Sequence, residues 1–208
     1  MLLIFSTIIL STLIGIVISS VFSEMPKKWA KKLSFVCFLS ESLPDIFVAV
    51  SAQALVIWYF KKTDVLLFNV ASSYKEQAFF IPLFTLCILP TLFITRLLLV
   101  RIEEEKNEPY YSMAVAKGIS KCRIMLHHLM PNTLISLITQ VKYLLWYILS
   151  NLVMIEYIFN LNGITSFIIR FNNPEVFIVS TLLLFIPLYL FSQSLQVVCY
   201  RSIGVRTE

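Results

Sequence analysis

The sequence predicts an all-α membrane protein with about five transmembrane helices and one structured polar loop. Three observations carry that prediction. Of 208 residues, 58% are hydrophobic and only 14% charged, with mean hydropathy +0.83, whereas a soluble domain carries roughly 25% charge. The apolar residues fall into five runs long enough to cross a bilayer, which takes about 20 helical residues. Only 4 glycines and 8 prolines are present, too few for the turns of a β-barrel or for low-complexity linkers. Backbone inside lipid must satisfy its own hydrogen bonds, and helices do so within one segment. No repeat is visible, and residues 1–208 read as a single membrane domain.

The five runs cover roughly residues 2–21, 35–60, 79–100, 134–159 and 176–200. The first lacks a basic leader and a clear small-residue cleavage site, so it reads as a span and not as a signal peptide. Lysine and arginine set the orientation. Lys27, Lys28, Lys31 and Lys32 follow the first run, and Arg101, Lys106, Lys117, Lys121 and Arg123 lie in the polar loop. Arg201 and Arg206 lie in the tail. Together these are eleven cations on one side, against Lys61, Lys62, Lys75 and Arg170 on the other. The expectation is an outside amino terminus, a cytoplasmic carboxyl terminus and a cytoplasmic loop.

Charge inside the runs is costly and marks structure or function. Glu41 and Asp45 are one helical turn apart and share a face if the second run is one helix. They lie about 9 and 15 Å from its start near Phe35, and Lys142 about 12 Å from the start of the fourth run. Pairing of Lys142 with Asp45 or Glu41 across the bundle is one expectation. Snorkelling of Lys142 and Arg96 to the headgroups, with Glu41 capping near the interface, is the other. Gln53, Asn151 and Glu156 are further candidates to line a pathway. Pro44, Pro82, Pro90 and Pro187 can kink their helices, for gating or merely for packing.

Cys37, Cys87, Cys122 and Cys199 are scattered without a CxxC. They indicate neither a disulfide framework nor a metal site. His127 and His128 are adjacent, so they diverge around a helix and do not make a metal pair. No Gly-x-x-x-x-Gly-Lys-Ser/Thr occurs, and no Ser/His/Asp order suggests catalysis, so the chain is expected not to be an enzyme.

Residues 101–132 form the most informative segment. Glu103, Glu104, Glu105 and Glu108 precede Pro109, which suits the first turn of a helix. Tyr110, Met113, Ala114 and Lys117 follow at helical spacing. Gly118 gives the chain freedom to leave that helix. Ser120 can cap a second helix whose apolar residues Ile124, Leu126 and Leu129 lead to Pro131. The predicted unit is helix–Gly–helix along one membrane face. By pattern alone it is either a hairpin resting on lipid headgroups or a docking element for a soluble partner.

Ala114-Val115-Ala116-Lys117-Gly118, then Leu129-Met130-Pro131-Asn132, resembles the EAA loop of binding-protein-dependent ABC importer permeases. The closest resemblance is to the B-type subunit of the oligopeptide/dipeptide/nickel family. Its loop reads Tyr-x-x-x-Ala-x-Ala-Lys-Gly and then His-x-Leu-x-Asn or similar, which Tyr110, Ala114, Ala116, Lys117, Gly118, His127 or His128, and Asn132 match. Ser42-Leu43-Pro44 resembles the Ser-Ile-Pro of the family's preceding span. Pro82, Leu89-Pro90 and Arg96 resemble the span that enters the loop. Val153 to Phe159 with Asn162-Gly163-Ile164 resembles the Val-Val-x-Glu-x-x-Phe-x-x-Pro-Gly-Leu/Ile stretch after it. Asn162 stands where the family has proline, and Pro109 where it has an acidic residue. The resemblance begins at what is the second span of such permeases, after their usual first span and extracellular segment.

The resemblance implies a type I ABC importer transmembrane domain that forms a translocation pathway for oligopeptides, dipeptides or nickel. It implies a second permease subunit in a heterodimer, two cytoplasmic ABC ATPases, an extracellular substrate-binding protein and surrounding membrane lipid. It implies no nucleic-acid partner, metal or cofactor on this chain, ATP being bound by the partner ATPase. Glu108, Tyr110, Ala114, Ala116, Lys117, Gly118, Pro131 and Asn132 would form the ATPase-coupling loop, with Ala114 and Ala116 permitting close approach. Glu41, Asp45, Gln53, Arg96, Lys142 and Glu156 would be pathway or intramembrane polar residues. Two alternatives stand beside this: a permease-like scaffold or sensor that does not transport, and a secondary transporter that needs no ATPase.

Overall fold

Small side chains decide how the first and third spans meet. In the computed structural model, which describes residues 2–73, 76–171 and 173–203 with side chains to Val197, helices α1 (Leu2–Ser23) and α4 (Phe80–Lys106) run side by side. They are parallel: the Cys87 thiol donates to the Thr7 carbonyl at 3.9 Å, Gly15 packs on Ile94, and Lys106 Nζ donates to the Ser23 carbonyl. Thr7, Ser11, Gly15 and Ser19 recur every fourth residue and are all buried. A methyl group on Gly15 would sit 2.6 Å from Ile94 Cγ2, so backbones approach as small-residue stripes allow in lipid. The Thr7, Ser11 and Ser19 hydroxyls bond carbonyls of their own helix, which avoids unpaired polar groups in an apolar interface.

Against this pair lies α7 (Met130–Ile158), antiparallel to α4, with Ile94 and Leu98 packed on Leu137 and Leu144. Toward the other end, Ile4, Ile8, Ile148, Ile155 and Phe159 build the largest buried cluster. A short helix α8 (Ile164–Arg170) leads to α9 (Pro174–Ile203), which returns along α7 with Trp146 and Phe185 rings 5.5 Å apart. Among the described residues every regular element is helical.

The second run is not one helix. It divides into α2 (Lys27–Ser40) and α3 (Asp45–Thr63), bent by 96°. Pro44 is the cause: it has no N–H, and it disfavours helical backbone at Leu43. Glu41 and Asp45 therefore do not share a helical face, contrary to expectation. Among the described residues four helices are long and apolar enough to span, five if α2 and α3 make one broken span.

The fourth run also differs from expectation. Helix is continuous from Lys121 to Ile158, through α6 (Lys121–Ile124), a π-helical segment Met125–Leu129 and α7. Pro131 does not end the loop but sits in the first turn of α7. A proline ring collides with the carbonyl four residues back, here His127, and widening that turn into a π segment relieves the collision. The loop's second helix and the fourth span are one rod.

The two basic segments 24–34 and 101–132 lie at one end of the bundle, as predicted. Lys27 Nζ stands 3.8 Å from Glu103, and Lys106 Nζ 3.9 Å from Glu24. The opposite end holds the connection between α3 and α4, pinned by Ser72 N–H to the Phe159 carbonyl at 2.8 Å and by Asn160 Nδ2 to the Ser72 carbonyl at 3.1 Å. Lys75 and Arg206 lie outside the described residues, as do the side chains of Cys199 and Arg201.

Candidate coupling loop and intramembrane polar groups

The loop begins where α4 stops at Asn107. Glu108 takes the N-cap position with extended backbone (φ −71°, ψ 146°), and Pro109 is the first residue of helix α5 (Pro109–Ala116). A proline there loses nothing, because that N–H has no helical partner. Glu103, Glu104 and Glu105 belong to the last turns of α4 and not to the first turn of α5, as had been expected.

At the far end of α5, Gly118 has φ +72°, the left-handed region that disfavours side chains. Its N–H donates to the Val115 carbonyl at 2.9 Å, and the Ile119 N–H to the Ala114 carbonyl at 3.2 Å. This bond pair is a Schellman motif, and Ile119 adds its hydrophobic contact by packing on the cluster that holds Ala114. Ser120 then occupies the N-cap position of α6, but its side chain makes no capping bond.

Glu105 braces the loop. Its Oε2 accepts from the Tyr110 hydroxyl and from Asn132 Nδ2 at 3.0 Å, tying the end of α4, the start of α5 and the start of α7 together. Burial, reinforced by the Glu105 carboxylate, pushes the Tyr110 phenol up to about 12, so Tyr110 stays a donor at neutral pH. The Tyr110 and His128 rings lie 6.5 Å apart. Beneath them Ile102, Ala114, Ile124, Met125, Leu129 and Met130 form a buried cluster.

This cluster corrects one expectation. Ala114 is 7% exposed and packs inside the loop, so it is not a surface for a partner. The outward face of α5 carries Met113, 62% exposed, with Val115, Ala116 and Lys117 also exposed. Pro131 and Asn132 are exposed at the base of the rod. Met113 and Glu105 were not singled out for this face and brace. Met113 stood with Tyr110, Ala114 and Lys117 at one helical spacing and so read as part of a single face, whereas Glu105 bonds a residue 27 positions away, which no local pattern signals.

The intramembrane groups pair differently from the sequence expectation. Arg96 Nη1 donates to Glu41 Oε2 at 2.6 Å, with the guanidinium 4.7 Å from the Phe38 ring centre. Asp45 accepts from the Tyr147 hydroxyl. Lys142 pairs with neither acid; it is exposed beside Trp146 and Tyr189. The break at Pro44 turns Glu41 toward α4 and Asp45 toward α7, which removes the shared face that Lys142 needed. Glu41 Oε1 is buried without a hydrogen-bond partner among the described residues, beside a cavity of about 200 Å³ lined by Pro90, Phe93, Tyr143 and Tyr147. Tyr147 was missed, although a tyrosine in an apolar run needs a partner for its hydroxyl.

Gln53 and Glu156 hold backbone together. Gln53 Nε2 donates to the carbonyls of Val70 at 3.1 Å and Ile158 at 3.3 Å. Glu156, 5% exposed, accepts from the N–H groups of Thr165 at 2.9 Å and Ser166 at 3.1 Å and from the Thr165 hydroxyl. A carboxylate at the start of α8 satisfies helix N–H groups that have no partner within the helix. Any side chain on Gly163 would overlap that carboxylate.

A family model described as "Binding-protein-dependent transport system inner membrane component" matches residues 5–205. The "Dipeptide transport system permease protein DppB" of Haemophilus influenzae is 32% identical over 112 residues, which is 53% of this chain and 34% of that protein. The chain thus matches about a third of that relative's length.

Proposed function

The chain belongs to the family of binding-protein-dependent transport system inner membrane components, and from that membership we propose that it forms part of the translocation pathway of an ABC importer and couples to cytoplasmic ATPases through the loop 107–132. Its all-helical fold with four spans, or five counting the broken one, is in keeping with a type I importer transmembrane domain. In this reading a second permease subunit completes the pathway, two ABC ATPases supply the energy and an extracellular binding protein delivers the solute. The limited similarity to a dipeptide permease favours oligopeptides or dipeptides over nickel. The amino terminus is outside, and the loop and carboxyl terminus are cytoplasmic.

One observation carries the reading: α5 is a short helix held rigid on its inner side and bare on its outer side. The Schellman turn at Gly118 and the Glu105 brace fix its position. Met113, Val115, Ala116 and Lys117 stay available to a groove on an ATPase. A push on α5 then has two routes into the membrane: through Glu105 into α4, and through the unbroken rod Lys121–Ile158 into the fourth span. Neither route requires this chain to bind ATP.

Site-specific cross-linking tests the docking. Ala116→Cys in a Cys122→Ser background places one accessible thiol on the outer face of α5. A short bifunctional reagent should join it to an ATPase subunit in native membranes, in an amount that changes with nucleotide. Cross-linking only to lipid or to nothing, at several outward positions, would remove the docking role.

A further inference from the structure

Two cavities flank the line along which α2 crosses α4. One, of about 490 Å³, opens at the α1–α2 corner and is lined by Lys27, Lys106 and Lys121 together with Tyr111 of α5. The other, of about 370 Å³, is lined by Lys31 and Arg96 with Phe35 and Phe38. Both include Ala30, Leu99 and Glu103, so they are halves of one groove. Its floor is apolar, with Leu99, Val100 and Ile102, and its rim carries five cations (Lys27, Lys31, Arg96, Lys106 and Lys121) against the two acids Glu24 and Glu103.

The charges there are unevenly committed. Arg96 is bound to Glu41 at 2.6 Å. Lys27–Glu103 at 3.8 Å and Lys106–Glu24 at 3.9 Å are long, partly exposed pairs, which contribute little. Lys31 and Lys121 have no ion-pair partner among the described residues. The groove runs from Arg96 toward the end where α1 and α4 both stop. α2 itself carries exposed Trp29 and Phe35 beside its lysines, with Lys32 Nζ 5.7 Å from the Trp29 ring centre. Tryptophan and lysine on one short amphipathic helix mark the lipid–water boundary.

We propose that this groove is a binding site for an anionic phospholipid, with the headgroup at the basic rim formed by Lys27, Lys31 and Lys106 and an acyl chain along the apolar floor. A free phosphate would leave that floor and the Trp29 belt without a role. The bound headgroup would touch Tyr111 and Lys121 and so steady the coupling loop. Only the steadying of a coupling loop rests on the permease reading; the lipid site does not.

Quenching of Trp29 by brominated lipid tests it. With Trp58→Phe and Trp146→Phe, the full chain keeps Trp29 as its one tryptophan of three. It is reconstituted in phosphatidylcholine vesicles with a minor fraction of phosphatidylglycerol, bromine being carried on one lipid or the other. Brominated phosphatidylglycerol should quench Trp29 more strongly than an equal fraction of brominated phosphatidylcholine. Lys27→Gln and Lys31→Gln should each lower that preference by about five-fold, while Lys→Arg at the same positions keeps it and shows the fold intact. Lys28→Gln, outside the groove, should leave it nearly unchanged. Equal quenching by the two lipids overturns the site, as does an equal loss from Lys28→Gln. Abolition of the preference by inorganic phosphate would make it an anion site and not a lipid site. None of these readouts involves uptake or an ATPase, so either reading can fail alone.

Discussion

Glu156 and Gly163 illustrate how single residues act in pairs here. The carboxylate fills the space a side chain at Gly163 would need, and it caps α8. Glu156→Ala should destabilise the chain by about 1–2 kcal/mol, the range of a lost N-cap, and Gly163→Ala by a similar amount because it displaces the same cap. Thermal unfolding in detergent checks both, and an unchanged midpoint for either would remove the cap. Tyr110 gives a pH prediction. Its phenol is pushed up to about 12 from an ordinary value near 10. A raised folded value means the brace is fully present below about pH 10 and is lost as pH rises through about 12. Proteolysis of the loop at Lys117 and Lys121 should therefore be flat between about pH 6 and 9 and faster throughout in Tyr110→Phe. At this scale the legible residues were those with local duties: Gly118 at a turn, Pro109 at a helix start, Tyr110 in a motif. Glu105 and Tyr147 escaped because Asn132 lies 27 residues from the first and Asp45 lies 102 from the second.

Hydrophobic runs predicted the elements well and their interruptions poorly. A window average sees apolar length, not the backbone consequence of one proline, so residues 35–60 read as one helix although Pro44 bends it by 96°. Pro131 misled in the opposite direction, since a π segment absorbs it and the helix continues. The small-residue stripe of α1 stood in the sequence at every fourth position, but only the partner helix shows what it packs against. The broken element makes its own prediction. Arg96 on α4 holds Glu41 at the break, while Tyr147 on α7 holds Asp45. In a double-mutant cycle with Arg96→Met and Glu41→Gln, unfolding should show a coupling of roughly 1 kcal/mol or more. It should stay below the ~3–5 kcal/mol of a fully buried broken pair, because the Arg96 side chain is 36% exposed. Strict additivity would show that the pair does not hold the break.

For the molecule as a whole, composition and periodicity established a helical membrane protein, and the collinear motif set established the family that the match over residues 5–205 bears out. Which outer surfaces meet a second permease was not legible, since lipid and partner select the same apolar side chains. In the proposed function the outer face of α5 docks an ATPase while its inner face holds the loop in shape. The most direct test is co-purification from gently solubilised native membranes, comparing wild type with Met113→Glu, Ala116→Trp and Gly118→Trp. The first two alter the outward face alone; Gly118→Trp also strains a position at φ +72° with open space around it. An ABC ATPase and a second permease should accompany the wild type. Met113→Glu and Ala116→Trp should lose the ATPase, keep the second permease and unfold at the wild-type temperature. If the ATPase stays with all three variants, or never accompanies the wild type, the coupling role of α5 is contradicted.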